Sequence, residues 1–286
     1  MSLAELIPLV LKASIFGIVF SIGLRTSLGE LSMGFRRPAN LVKGAVAMFV
    51  LMPLVAVGLT LGLDPRAPTG LILVAAALSP VPPILPNKEM KAGAGAAQAV
   101  GGMVGASFLA MLLLPFGVSL IGSWFGLDLD IPREPAVRIV LTSILIPLFA
   151  GILLKTLVPG VADRLAGPAG KAAALLLLLA ALPILFQIGP AMWGLLGGRT
   201  LLAFVLFAVI GVVVGHILGS ENPDFQTVLA ISTPSRHPAL AAAVASAARP
   251  ELEGILPAAV LYLLVSIVVT GVYLARRKKA GQPEAA

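Results

Sequence analysis

Nine stretches of mostly apolar residues succeed one another along this chain, at roughly 4–25, 40–63, 68–92, 96–123, 136–158, 170–188, 199–219, 224–248 and 254–275. Each approaches or exceeds the ~20 residues that an α-helix needs to cross the hydrocarbon core of a bilayer. The connections are short, which predicts one helical bundle with no soluble domain. Of the 286 residues, 58% are hydrophobic and 12% charged, and the mean hydropathy is +1.03. A single water-soluble core of this size could not enclose so much apolar surface. The expected fold is therefore an all-α polytopic membrane protein with nine transmembrane helices. This excludes a soluble enzyme, a disordered tail protein and a secreted disulfide scaffold. The chain has no cysteine, so disulfides, thiolate metal sites and cysteine nucleophiles are excluded as well.

The amino terminus does not read as a cleavable signal, because Glu5 stands where a basic segment should precede the apolar run. The net charge is +7, but the basic residues lie mostly at the ends of apolar runs. They read as topology signals and not as a nucleic-acid surface. Most gather in alternate connections: from Arg25 to Lys43, at Lys88 and Lys91, from Lys155 to Lys171, and from Arg276 to Lys279. The intervening connections hold Arg66, Arg133, Arg138, Arg199 and Arg249. The positive-inside rule places the N-terminus outside and the C-terminus in the cytoplasm of the cell (inner) membrane, with a polar, frayed cytoplasmic tail at 277–286. Glu221 and Asp224 fall on the inner side without a basic neighbour. Trp124 and Trp193, near span ends, read as interface anchors.

The third and eighth stretches differ from the rest. In the third, LILVAAALSP runs into VPPILPNKEMKAGA. Pro80, Pro82, Pro83 and Pro86 each lack an amide proton and clash with the preceding turn. The helix is expected to stop near Ser79 and restart near Asn87. In the eighth, VLAISTPSRHPALAAAVASA holds Pro234 and Pro238, with Ser235, Arg236 and His237 between them. A simple pair of kinks is the alternative to two true breaks. Each broken span is third of four, in spans one to four and in spans six to nine, with the fifth between the blocks. The blocks start on opposite sides of the membrane and so form inverted repeats of four plus one extra helix, as in many secondary transporters. Two breaks at similar depth can satisfy their loose backbone groups by meeting at the bundle centre. There, half-helix ends offer amide protons to anions and carbonyls to cations.

At these residues the sequence resembles the bile acid:sodium symporter family, on the order of its spans, FGIVFSIGLRTSLGEL, the LSP break with its KAGA-like helix start, and RHPALAAAVASA. The resemblance covers nearly the whole chain and implies the nine-span form with two broken, crossing helices. It also implies a core, approximately 39–123 and 199–276, that moves against a panel, approximately 4–25 and 136–188. Family substrates are organic anions, from bile acids to smaller carboxylates. At positions where the family carries a Glu and, four residues on, a Gln-Asn pair, this chain has Ser232, Arg236 and His237. The family's two glycines and Ser-Asn pair are replaced by the stretch from Val81 to Pro86, with Asn87 one position late. Of the next helix's hydroxyls only Ser107, in MVGAS, remains. Sodium prefers oxygen ligands, and a fixed guanidinium repels it, so the sodium site is expected to be lost.

Among single residues, Arg236 is an ionisable group inside an apolar span and a functional candidate, with Glu89 as its nearest possible partner. It either attracts an anionic substrate or clamps the break. His237 either supports proton coupling or caps a helix. Ser79 and Asn87 flank the first unwound stretch, and Gln98 lies close to it. With Ser107, Ser232, Thr233, Ser235, Arg236 and His237 these make the candidate substrate and ion site. Lys88, Glu89 and Lys91 read chiefly as a cytoplasmic topology signal, and Lys12 as a side chain snorkelling to the outer headgroups. His216 and Gln187 read as interfacial. No nucleotide loop, HExxH or GxSxG occurs, so no cofactor and no enzyme activity are expected. The chain reads as a secondary transporter of a small organic anion, coupled to protons, to exchange or to neither. The alternative is a non-transporting sensor or scaffold that keeps the fold: an accessible cavity that binds carboxylates favours the first, a cavity closed by the proline-rich stretch the second.

Overall fold

The structure, a computed structural model, describes residues 3–124, 133–197, 199–219 and 222–280. Among them there is no strand. Helix α1 (Leu3–Gly23) and the short α2 (Leu28–Phe35) lead into α3 (Pro38–Val46), which continues through a π-helical turn, Ala47–Leu51, into α4 (Met52–Leu63). Then come α5 (Ala67–Leu78), α6 (Leu85–Lys91) and α7 (Ala96–Trp124). Helix α8 (Arg133–Val140) continues through a second π-helical turn, Leu141–Leu145, into α9 (Ile146–Leu157). The chain ends with α10 (Pro159–Leu195), α11 (Thr200–Leu218), α12 (Pro223–Ser232), α13 (Pro238–Ala248) and α14 (Ile255–Ala280).

Among the described residues, six stretches are long and apolar enough to cross a membrane: Leu6–Gly23, Pro38–Leu63, Val137–Leu157, Pro159–Leu195, Thr200–Leu218 and Ile255–Arg277. The other three expected spans carry only shorter apolar helices among the described residues, Ala67–Leu78, Ala97–Ala110 and Pro238–Ala248. Proline clusters divide two of them. In the third, α7, the side chains from 114 onward lie outside the described residues.

Both π-helical turns immediately precede a proline, Pro53 or Pro147, in the first turn of the helix that follows. A proline in an unbroken helix would strike the carbonyl four residues back, and a widened turn relieves that clash. A correction concerns the polar stretch expected between the fifth and sixth spans. It is helical, because Pro159 starts α10 directly after Val158 and Pro168 stays inside that helix. The result is 37 residues of continuous helix, about 55 Å at 1.5 Å per residue and longer than a bilayer core is thick.

Close packing rests on glycines. A Cβ on Gly23 would lie 2.3 Å from the Leu148 carbonyl oxygen, and one on Gly151 would lie 2.4 Å from that of Phe20. Helices α1 and α9 therefore touch backbone to backbone. Helix α1 also lies along α10, with Gly17 against Ala173. Gly215 brings α11 onto α12 at Leu229 in the same way. The C-terminus departs from the frayed expectation: α14 stays helical to Ala280, and Arg277 donates to the Pro223 carbonyl at 3.1 Å and the Thr227 hydroxyl at 3.2 Å. The expected tail residues 281–286, Glu221 and the Trp124 side chain lie outside the described residues. Trp193, Lys12 and Gln187 are exposed on their helices.

Candidate functional site

Helix α5 stops at Leu78, and Ser79 turns extended at φ −81°, ψ 151°. Pro80, Pro82 and Pro83 follow in non-helical backbone. The helix restarts at Leu85, two residues before the expected Asn87, because Pro86 falls in the first turn, where no amide proton is needed. In the other break α12 ends at Ser232 and α13 begins on Pro238. His237 caps α13, its Nδ1 accepting from the Leu240 amide at 3.3 Å.

A proline at position i leaves the carbonyl at i−4, or at i−5 in a π-helical turn, without its helical donor. A carbonyl past a helix end also lacks a helical donor; three carbonyls without one lie near the breaks, and each is taken by a group from elsewhere. The Ser79 carbonyl, past the end of α5, accepts from Arg236 Nη1 at 3.2 Å. The Met48 carbonyl, freed by Pro53 in the π-helical turn, accepts from Arg236 Nη2 at 3.1 Å. The Pro234 carbonyl, past the end of α12, accepts from the Tyr262 hydroxyl. In addition the His237 amide donates to the Pro80 carbonyl at 2.9 Å, so the two breaks bond directly to each other. Arg236 is 1% exposed and its guanidinium stands 5.9 Å from the centre of the Phe49 ring. Its Nε and the Nε2 of His237 are buried without a hydrogen-bond partner among the described residues.

The expected pairing of Arg236 with Glu89 does not form. Arg236 spends its terminal nitrogens on carbonyls, whereas Glu89, 1% exposed, accepts from the Ser232 hydroxyl at 2.5 Å. Glu89 is therefore an interior residue and not a surface topology marker. Lys88, its neighbour, points its amine to Thr270 at 2.6 Å. Ser79, Ser107 and Thr233 bond their hydroxyls to carbonyls one turn back in their own helices, at 2.7 to 2.8 Å. His216 sits half-buried against Tyr273, 2.9 Å from its hydroxyl.

The remaining candidates part between two cavities. A small one, about 100 Å³, lies between α3, α7 and α12 and is lined by Asn40, Gln98 and Ser232. A cleft of about 950 Å³ lies between α1 and α10 on one side and α6 and α14 on the other. Pro82, Asn87 and Ser235 line it, so it reaches both breaks. Arg25, Lys88, Lys91 and Lys171 line it too, with no acidic residue among its described lining. Tyr262, the pairing of Glu89 with Ser232 and the Met48 carbonyl escaped sequence reasoning. Pro53 signals the last, since it lies five residues on.

All-α, with six membrane-length apolar helices among the described residues and two interior breaks bonded to each other, the chain is a multi-pass membrane protein. The model of the Sodium Bile acid symporter family matches residues 13–192, and the chain belongs to that family of membrane transporters. The matched segment takes in the first break and ends before the second. No curated protein matches the chain.

Proposed function

We propose that the protein is a secondary transporter of a small organic anion, working by alternating access from the 950 Å³ cleft. That cleft carries the reading: its size suits a small solute, its rim is cationic, and it opens onto both breaks. The proline-rich stretch does not seal this cleft, and carboxylate binding in it would favour transport over a sensor or scaffold. The spans number nine, as two inverted repeats of four around a fifth. Helices α1, α9 and α10 make the panel, and the helices that hold the breaks make the core. The N-terminus lies outside and the C-terminus in the cytoplasm of the inner membrane, so the cleft faces inward. Asn87 and Ser235 meet the solute directly. Arg236 is a resident cation: by occupying the Ser79 and Met48 carbonyls it takes the place of a mobile sodium ion. Coupling is then by protons, by exchange, or absent.

Purified protein in proteoliposomes tests this. Uptake of at least one carboxylate from a series running from butyrate to cholate is expected, at a rate changed less than about twofold when choline replaces sodium. Strong acceleration by an inward sodium gradient would overturn the resident-cation role. No uptake and no thermal stabilisation by any member would overturn the transporter reading.

A further inference from the structure

We infer that the solute of this cleft carries at least two separated negative groups, of the kind found in an aliphatic dicarboxylate. The inference rests on the transporter reading above and narrows it. Arg25, at the end of α1, and Lys171, on α10, line one wall; Lys88 and Lys91, on α6, line the other. Lys91 and Lys171 make no bond to the rest of the protein among the described residues, and neither does the Asn87 amide. Lys88 hydrogen-bonds only the neutral Thr270 hydroxyl, with the buried Glu89 carboxyl as its electrostatic neighbour, and Arg25 bonds only the Ala166 carbonyl, at 3.2 Å. Four cations thus line one cleft; Glu89, buried behind the wall, acts on Lys88 alone, and no carboxylate lines the cleft to offset the other three. Positive-inside bias accounts for the side of the membrane they occupy, but not for their convergence in pairs from two walls.

Like charges lining one cleft repel, and each anionic group of a solute relieves part of that repulsion. A monoanion satisfies one wall. A solute with an anionic group at each end, joined by a short apolar chain, satisfies both walls while its middle lies against Leu263 and Ile267. Bridging would also draw the α1–α10 wall toward α6, so the same solute that fills the cleft favours closing it.

Calorimetric binding to purified protein at fixed ionic strength separates the possibilities, with butyrate and cholate as monoanions, glutarate as dianion and tricarballylate as trianion. Glutarate is expected to bind roughly tenfold or more tighter than butyrate. Lys171→Gln and Lys91→Gln, both at exposed positions, are each expected to weaken glutarate by about tenfold and butyrate by less than about twofold. If butyrate or cholate binds as tightly as glutarate and neither variant matters, the inference is wrong while the transporter reading stands. If no anion of the series binds, both are wrong.

Discussion

Arg236 is the largest fully buried side chain among the described residues, and its role follows from what it touches. Two main-chain carbonyls stripped of their helical donors would otherwise lie unpaired in the interior, at a cost of about 1–3 kcal/mol each. Arg236→Met should therefore lower stability by about 2–4 kcal/mol in thermal unfolding. Arg236→Lys should recover little of it, because a point ammonium cannot span two carbonyls as a planar guanidinium does. Glu89 offers a second test. If the carboxyl serves to accept from Ser232, Glu89→Gln keeps an acceptor oxygen in place and should leave unfolding nearly unchanged, whereas Glu89→Ala should cost about 1–3 kcal/mol. Equal loss in both variants would show that the negative charge itself is needed. Arg236 was legible as an outlier because a guanidinium stands out in an apolar span. Its partners were not: Met48 and Ser79 contribute carbonyls, which every residue has, and nothing in the local pattern says which guanidinium will reach them.

Prolines act differently according to their company. Pro8, Pro168, Pro183 and Pro190 sit inside continuous helices, whereas Pro80, Pro82 and Pro83 together end one. The sequence therefore reveals both breaks, where prolines crowd or flank polar residues, but not that α10 runs unbroken from Pro159. A single proline next to glycine suggests a connection, and neighbouring helices decide otherwise. The π-helical turn before Pro53 links element to site, since it is the source of the Met48 carbonyl. Pro53→Ala restores an amide able to compete with Arg236 for that oxygen. We expect it to destabilise the protein by about 1 kcal/mol, with most of the loss absent when combined with Arg236→Met. Additive effects in that cycle would mean that the turn and the arginine are independent.

At the scale of the molecule, the cleft could not be foreseen from any one span. Its walls come from helices far apart in the chain, α1, α6, α10 and α14, and each basic residue looked like a loop charge marking topology. The natural absence of cysteine makes the proposed orientation simple to check. A membrane-impermeant maleimide should label Lys91→Cys only from the cytoplasmic side and Glu251→Cys only from the opposite side; the reverse pattern would invert the topology. The bonds between the breaks also bear on how the protein is made. Carbonyls of Met48, Ser79 and Pro80 leave the ribosome well before Arg236 and His237, the residues that complete them. The early portion must wait, unfinished, in the translocation machinery or the lipid until the late portion arrives. A fragment ending at Leu218 should be cleared quickly by quality-control proteases, and separate co-expression of residues 219–286 should rescue it.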